Sequence, residues 1–335
     1  MAKRDGLSRR DLLRRGALGV AGIAASARLL ESGEALGQGP PPASHIHGGT
    51  VGEVTNAGID PMVFLEHFDY GAVSRHPSGR RLREYQLVAA DREIEVAPGV
   101  MFPAWTYNGQ VPGPTLRCTE GDIVRVHFRN AGTHPHTIHF HGIHPAGMDG
   151  TLEIVDVNAS FTYEFEARPF GLQLYHCHVT PFKKHMAKGL YGAMIIDPRT
   201  PRKPAREMVM VMNGFDTNFD GENEVYAANT VAFAYHRRPI PVKTGQLQRI
   251  YLVNALEFDP VNSLHLHGNF FHVYRTGTSL TPHDFTDTVM LCQGERHIVE
   301  FTYAEPGDYM FHAHQAEFTE LGWSGFFRVE GSPAA

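Results

Sequence analysis

Four pairs of histidines separated by one residue punctuate this chain: His139 with His141, His176 with His178, His265 with His267, and His312 with His314. On an extended strand, residues i and i+2 leave the same face about 6.6 Å apart. Such a pair can grip one metal ion from two directions or reach two ions held side by side. Imidazole is the commonest metal-ligating side chain, and 21 of the 335 residues are histidine. About one pair is expected by chance at that frequency, and His45 with His47 and His134 with His136 also have the spacing. His45 and His47 are read as part of a polar loop. The four pairs named first differ because they recur in register with a repeat.

Cys177 stands between His176 and His178 in YHCHVTPFKKH. On a strand its sulfur must face away from both imidazoles, so one tripeptide would serve two sites on opposite faces. A thiolate with two imidazoles and a weak axial ligand is the arrangement of blue-copper electron-transfer centres. The imidazoles must come from elsewhere, and His136, three residues before His139, and His185, eight residues after Cys177, are the candidates. With Cys118 and Cys292 the thiols number three, and an odd count defines no disulfide framework.

The elements that must position these residues read as strands. Short β-branched or alternating runs such as DIVRVHFRN and LQRIYLVN are broken by Gly and Pro, an all-β pattern. The pattern occurs twice. CTEGDIVRVHFRN precedes TIHFHG as KTGQLQRIYLVN precedes SLHLHG, and YEFEARPFGLQLYHCH answers VEFTYAEPGDYMFHAH. Two packed β-sandwiches follow, expected over 85–197 and 206–331, with the Pro-rich DPRTPRKPARE as linker. Residues 38–84 read as an arm or loops.

At the N-terminus Arg9 and Arg10 precede a weakly apolar stretch of about 12 residues, short of the roughly 20 that span a bilayer. A cleaved twin-arginine export signal and leader over 1–37 is expected, with a periplasmic or extracellular destination. The composition, 42% apolar and 20% charged with a formal charge of -6, carries no basic footprint for nucleic acid.

Across roughly residues 85–330, HTIHFHG, YHCH, LHLHG and FHAHQ resemble the multicopper oxidases, more narrowly their two-domain bacterial, small laccase-like members. The resemblance implies cupredoxin-like Greek-key domains and about four coppers per chain. It assigns His136, Cys177 and His185 to type 1 copper, and His139 and His265 to type 2 copper. His141, His176, His178, His267, His312 and His314 fall to the type 3 pair. Leu190 stands at the axial type 1 position, where the family often has Met, which implies a comparatively high potential; Met186 is read as a packing residue. In the second repeat Asn262 replaces His136 and Ala313 replaces Cys177, so only the first domain should hold type 1 copper.

The implied activity takes single electrons from a reductant and delivers them through Cys177, His176 and His178 to the cluster, where dioxygen becomes water. Asp149 in GMDG matches the family's proton-delivering acid, and Glu317, three residues after His314, is a second candidate. Because each domain supplies four of the cluster histidines, the resemblance implies a homotrimer with clusters where a first domain meets a second. The donor is left open between a small molecule such as a phenol, a metal ion and a protein. Lys183 and Lys184 are read as solvated. The alternatives are a copper nitrite reductase, which would need an Asp where His139 stands, and a copper-binding electron carrier without catalysis.

Overall fold

The structure, a computed structural model, describes Val54 and residues 58–332. The expected export signal and His45 and His47 lie outside these residues. The first domain runs through β1 (Ala72–Arg75), β2 (Arg81–Ala97), β3 (Val100–Tyr107), β4 (Leu116–Thr119) and β5 (Ile123–Asn130). It continues through β6 (His139–Phe140), β7 (Ser160–Glu166), β8 (Gly171–His176) and β9 (Tyr191–Asp197). The second begins with β10 (Arg206–Phe215), β11 (Val225–Ala228), β12 (Ile240–Lys243), β13 (Gln248–Asn254) and β14 (Val261–Leu266). It ends with β15 (Phe271–Arg275), β16 (Asp284–Thr286), β17 (Thr288–Cys292), β18 (Arg296–Phe301), β19 (Gly307–His312) and β20 (Ser324–Glu330). The helices are short: α1 (Pro61–Phe64), α2 (Phe182–Ala187), α3 (Ala234–Arg237) and α4 (Ala316–Glu320).

Each domain is a cupredoxin-like sandwich of two sheets. In the first, β1-β2-β5-β7, with β3 on β2, covers β4-β9-β8-β6. In the second, β11-β10-β13-β18-β15-β16 covers β12-β20-β19-β14-β17. The repeat seen in the sequence is a repeat of pairing. β2 runs parallel to β5 as β10 does to β13, and β4 parallel to β9 as β12 does to β20. The antiparallel pair β6 with β8 sets His139 opposite His176, and β14 with β19 sets His265 opposite His312.

One apolar cluster fills each sandwich, and a third joins them through residues such as Ile94, Phe102, Leu172, Val209, Tyr251 and Ile298. That junction explains why β13 is buried at every position. Its outward face meets the other domain instead of water, so strand alternation is lost there. Charged groups clamp the same junction. The Arg117 guanidinium meets Asp197 at 2.9 Å and Glu207 at 2.7 Å, and Glu207 also accepts from Arg249 at 2.8 Å.

The segment expected as an arm or loops carries structure. α1 is capped by the Asp60 carboxylate, which accepts the Met62 N–H at 2.9 Å. Phe64 and Leu65 are buried in different clusters, and β1 pairs with β2. The sequence hides β1 because all four of its residues are exposed, so no apolar face marks its period.

Candidate metal centres

β8 ends at His176, and the next residue turns its side chain into the first domain's core. Cys177 is fully buried in the cluster that contains Ile138, Phe140 and Leu190. Its N–H donates to the Leu190 carbonyl at 3.0 Å, tying the thiol's backbone to the segment after α2. His185, near the end of α2, brings Nδ1 to 3.2 Å from the Cys177 sulfur; His136 Nδ1 lies 3.9 Å from that sulfur and 3.2 Å from His185 Nδ1. All three residues are buried. Trp105 walls the site, its ring 5.3 Å from His136 and 4.8 Å from His185.

Burial, and then their mutual repulsion, push His136 down to about 4. Burial, with His134 and Lys184, takes His185 to about 4. Both are therefore neutral imidazoles with lone pairs at neutral pH. Burial raises the Cys177 thiol, so the thiolate needs a cation beside it. Two neutral imidazoles and a soft sulfur converging in an apolar cage fit a copper ion. Leu190 shares the thiol's cluster, whereas Met186 packs into the interdomain cluster, as a packing residue should.

The paired histidines form two sets, one per domain. In the first, His139, His141 and His176 bring ring nitrogens within metal-sized reach, with His178 5.5 Å from His139 between ring centres. In the second, His265, His267 and His312 do the same, with His314 5.3 Å from His265. Backbone carbonyls fix the tautomers. Nδ1–H of His139 donates to Asp149 O at 2.7 Å and that of His265 to Asp287 O at 2.9 Å. Likewise His176 donates to Cys177 O at 3.0 Å and His312 to Ala313 O at 2.5 Å. Each bond leaves Nε2 with its lone pair aimed at the shared space, the usual preparation of a metal-ligating histidine. His141 and His176 approach Nε2 to Nε2 at 3.1 Å, and His267 and His312 at 2.9 Å. Among the described residues, every metal-sized histidine group draws its members from one domain.

Asp149, the candidate proton carrier, lies beside the first histidine set. Its carboxylate lies 3.3 Å from His139 Nδ1 and accepts from Thr151 at 2.8 Å. Burial alone would raise its pKa, but the Thr151 bond and the facing His139 and His144 hold it below the ordinary value. Glu317 lies exposed in the first turn of α4.

Several site residues escape sequence reasoning. His144 joins His139 and Asp149 in a further metal-sized group, and its Nε2 bonds the Phe140 carbonyl at 2.7 Å. Arg296 reaches from β18 into the first domain, 3.3 Å from His141 Nδ1, held by Leu172 O and Gln173. Nothing in local spacing announces either. The second domain's missing thiol site has a physical explanation as well. Ala313 N–H donates to Trp323 O as Cys177 N–H donates to Leu190 O, so Trp323 occupies Leu190's place, fully buried, and its indole fills the cage with core.

Comparison with known proteins places this geometry. Two family models, both described as multicopper oxidase, match residues 89–201 and 199–332. The chain is similar to a solved structure described as a multicopper oxidase, 55% identical with a TM-score of 0.81, over 82% of this chain and 98% of that one. It is also similar to the blue copper oxidase from Nitrosomonas europaea, 30% identical with a TM-score of 0.66, over 74% and 86%. The copper-containing nitrite reductase of Neisseria gonorrhoeae is 29% identical over 74% of this chain and 68% of its own length.

Proposed function

The chain belongs to the multicopper oxidase family as a two-domain copper oxidoreductase, and from that premise we propose that it is a laccase-like oxidase that reduces dioxygen to water. Copper held by these residues would supply one-electron transfer and the reduction of dioxygen. The observation that carries the reading is the pair of four-histidine sets, in each of which backbone carbonyls hold two histidines in matching tautomers. A nitrite reductase would need one type 2 copper, three histidines and an aspartate in place of His139. Here His139 is a histidine whose Nε2 is freed by its bond to Asp149 O, and the second domain's pairs are complete.

The chain's own residues divide the work. His136, Cys177 and His185 would hold type 1 copper, with Leu190 buried in the same cluster as the thiol. His139 and His265 would hold type 2 copper, and the remaining six paired histidines the type 3 coppers. His176 and His178 flank Cys177 covalently, so a single residue links the buried thiol to the first histidine set. Asp149 can take a proton from solvent and hold it beside the first histidine set, 3.3 Å from the His139 ring. Four one-electron oxidations of the donor and four protons balance the conversion of one dioxygen to two waters.

The reading brings the two sets together from different copies of the chain, in a homotrimer with closed cyclic symmetry. Apolar side chains stand exposed beside both sets: Ile143 and Leu152 in the first domain, Phe270 and Phe285 in the second. Phe270 and Phe285 line an open cavity of about 690 Å³ with His265 and His267. Export to the periplasm or cell exterior belongs to the same proposal.

Copper content and gas uptake test the function together. About four coppers per chain with oxygen consumption support the oxidase, whereas two coppers and nitrite turnover support the reductase. Copper without turnover of either acceptor leaves an electron carrier.

A further inference from the structure

Beside the thiol site, α2 and the second domain enclose a cavity of about 320 Å³, near the lower end of the range for small-molecule pockets. Lys183, Lys184 and Lys188 line it together with Phe102, Phe219 and Phe258. Each ammonium lies against a ring. Lys183 is 4.3 Å from the Phe258 centroid, and Lys188 is 4.7 Å from Phe219 and 5.0 Å from Phe102. Lys184 sits 5.3 Å from Trp105, whose ring in turn is 4.8 Å from His185.

The charge at this wall is unbalanced. Among the described residues none of the three lysines is joined to a carboxylate within ion-pair distance. Asp216, the acid on the wall, is buried and its carboxylate accepts the N–H groups of Asp220 and Gly221. Burial, aided by Lys184, lowers the Lys188 ammonium to about 8 against the opposing pull of Asp91 and Asp216. Glu257, next to Phe258, is pushed up to about 7 by burial and gives little compensation in mild acid. Phe219 is 60% exposed with φ of 63°, a backbone region unfavourable for a bulky side chain. That conformation places its ring over the cavity rim.

We propose that this cavity binds a small aromatic anion, such as a carboxylated phenol, as the electron donor. The inference rests on the oxidase reading and gives its donor a chemical class. Phenyl walls take the ring by stacking, and the three ammoniums take the anionic group. The cavity is enclosed by two domains and ring-sized, which fits a small molecule better than the convex surface of an acidic protein. α2 carries both the lysines and His185, so a donor seated here lies one tryptophan ring from a ligand of the thiol site. On oxidation the phenol loses one electron toward that site and one proton to water, leaving a phenoxyl radical.

The test uses the copper-loaded protein and a redox-inert probe. Benzoate binding is measured by titration calorimetry against neutral benzamide, in the wild type, in Lys183→Gln/Lys184→Gln and in Lys188→Gln. Benzoate is expected to bind at least about tenfold more tightly than benzamide, with that preference falling about tenfold in the double variant. The ratio of kcat/KM for 4-hydroxy-3-methoxybenzoate over 2-methoxyphenol should fall in parallel, with retained blue absorption reporting an intact site. Equal binding of benzoate and benzamide, or an equal loss of both in the variants, overturns the proposal. So does lysine-dependent electron transfer from an acidic protein without benzoate binding. Lysine-dependent benzoate binding in a protein that consumes no oxygen would leave the cavity standing and sink the oxidase reading instead.

Discussion

Cys177 is the residue on which the two faces of the site depend. Its side chain lies in the core with His136 and His185 while its carbonyl accepts from His176, so sulfur and backbone serve different centres. Cys177→Ser should abolish the blue absorption and lower the copper content by about one per chain. The eight paired histidines should keep their ions, which paramagnetic resonance of the type 2 signal can check. Asp149 offers a separate handle. Asp149→Asn keeps the shape and the Thr151 contact but removes the proton carrier beside His139; oxygen reduction should slow about 100-fold while the blue absorption stays. Equal turnover in the variant would remove Asp149 from proton delivery. The paired histidine clusters were legible because spacing and repeat coincided. Trp323 was not, since nothing in local spacing shows that its carbonyl accepts from Ala313 as that of Leu190 does from Cys177.

At the scale of elements, strand pairing prepares the site. β6 against β8 and β14 against β19 put one histidine of each pair directly across from another, and non-local pairing fixes this without any loop. The turn after β6 is more delicate. Gly150 holds φ of 73°, and a Cβ there would run into the Ile138 carbonyl, so only glycine lets the chain bring Asp149 back to His139. Gly150→Ala should destabilise the protein by about 2–3 kcal/mol, read by denaturant unfolding, and should impair oxygen reduction more than donor oxidation. Strand patterning made the two sandwiches visible in the sequence, β13 through its apolar run although it is buried on both faces, but not β1, exposed on both. α2 was harder to foresee. Lys183 and Lys184 look like surface charges in isolation, because the rings that make a cavity of them, Phe219 and Phe258, come from the other domain.

For the whole molecule the first question is what keeps two domains in one orientation. Glu207 binds Arg117 from the first domain and Arg249 from the second. Burial raises its pKa, but the Arg117 bond and charge, with Tyr251 and Arg249, lower it further, and the net shift is downward. A carboxylate depressed in the folded state contributes stability that is present above its unfolded pKa and lost as pH falls through the folded value. Glu207→Gln should therefore cost about 3 kcal/mol at neutral pH and flatten the loss of stability below about pH 4.5. The second question is how two half-sites become one centre. Each histidine set stands at a surface with exposed apolar neighbours, so on the proposed reading the trimer would be a condition for activity. Phe270 is 50% exposed and lines the cavity beside His265 and His267, which makes Phe270→Glu a test that leaves the core alone. A carboxylate there should break the contact with a neighbouring first domain. The expected product is a monomer by light scattering that retains blue absorption and accepts one electron per chain, yet consumes no oxygen. A monomer of undiminished oxygen uptake would mean that the centre forms within one chain, and the trimer would have to be abandoned.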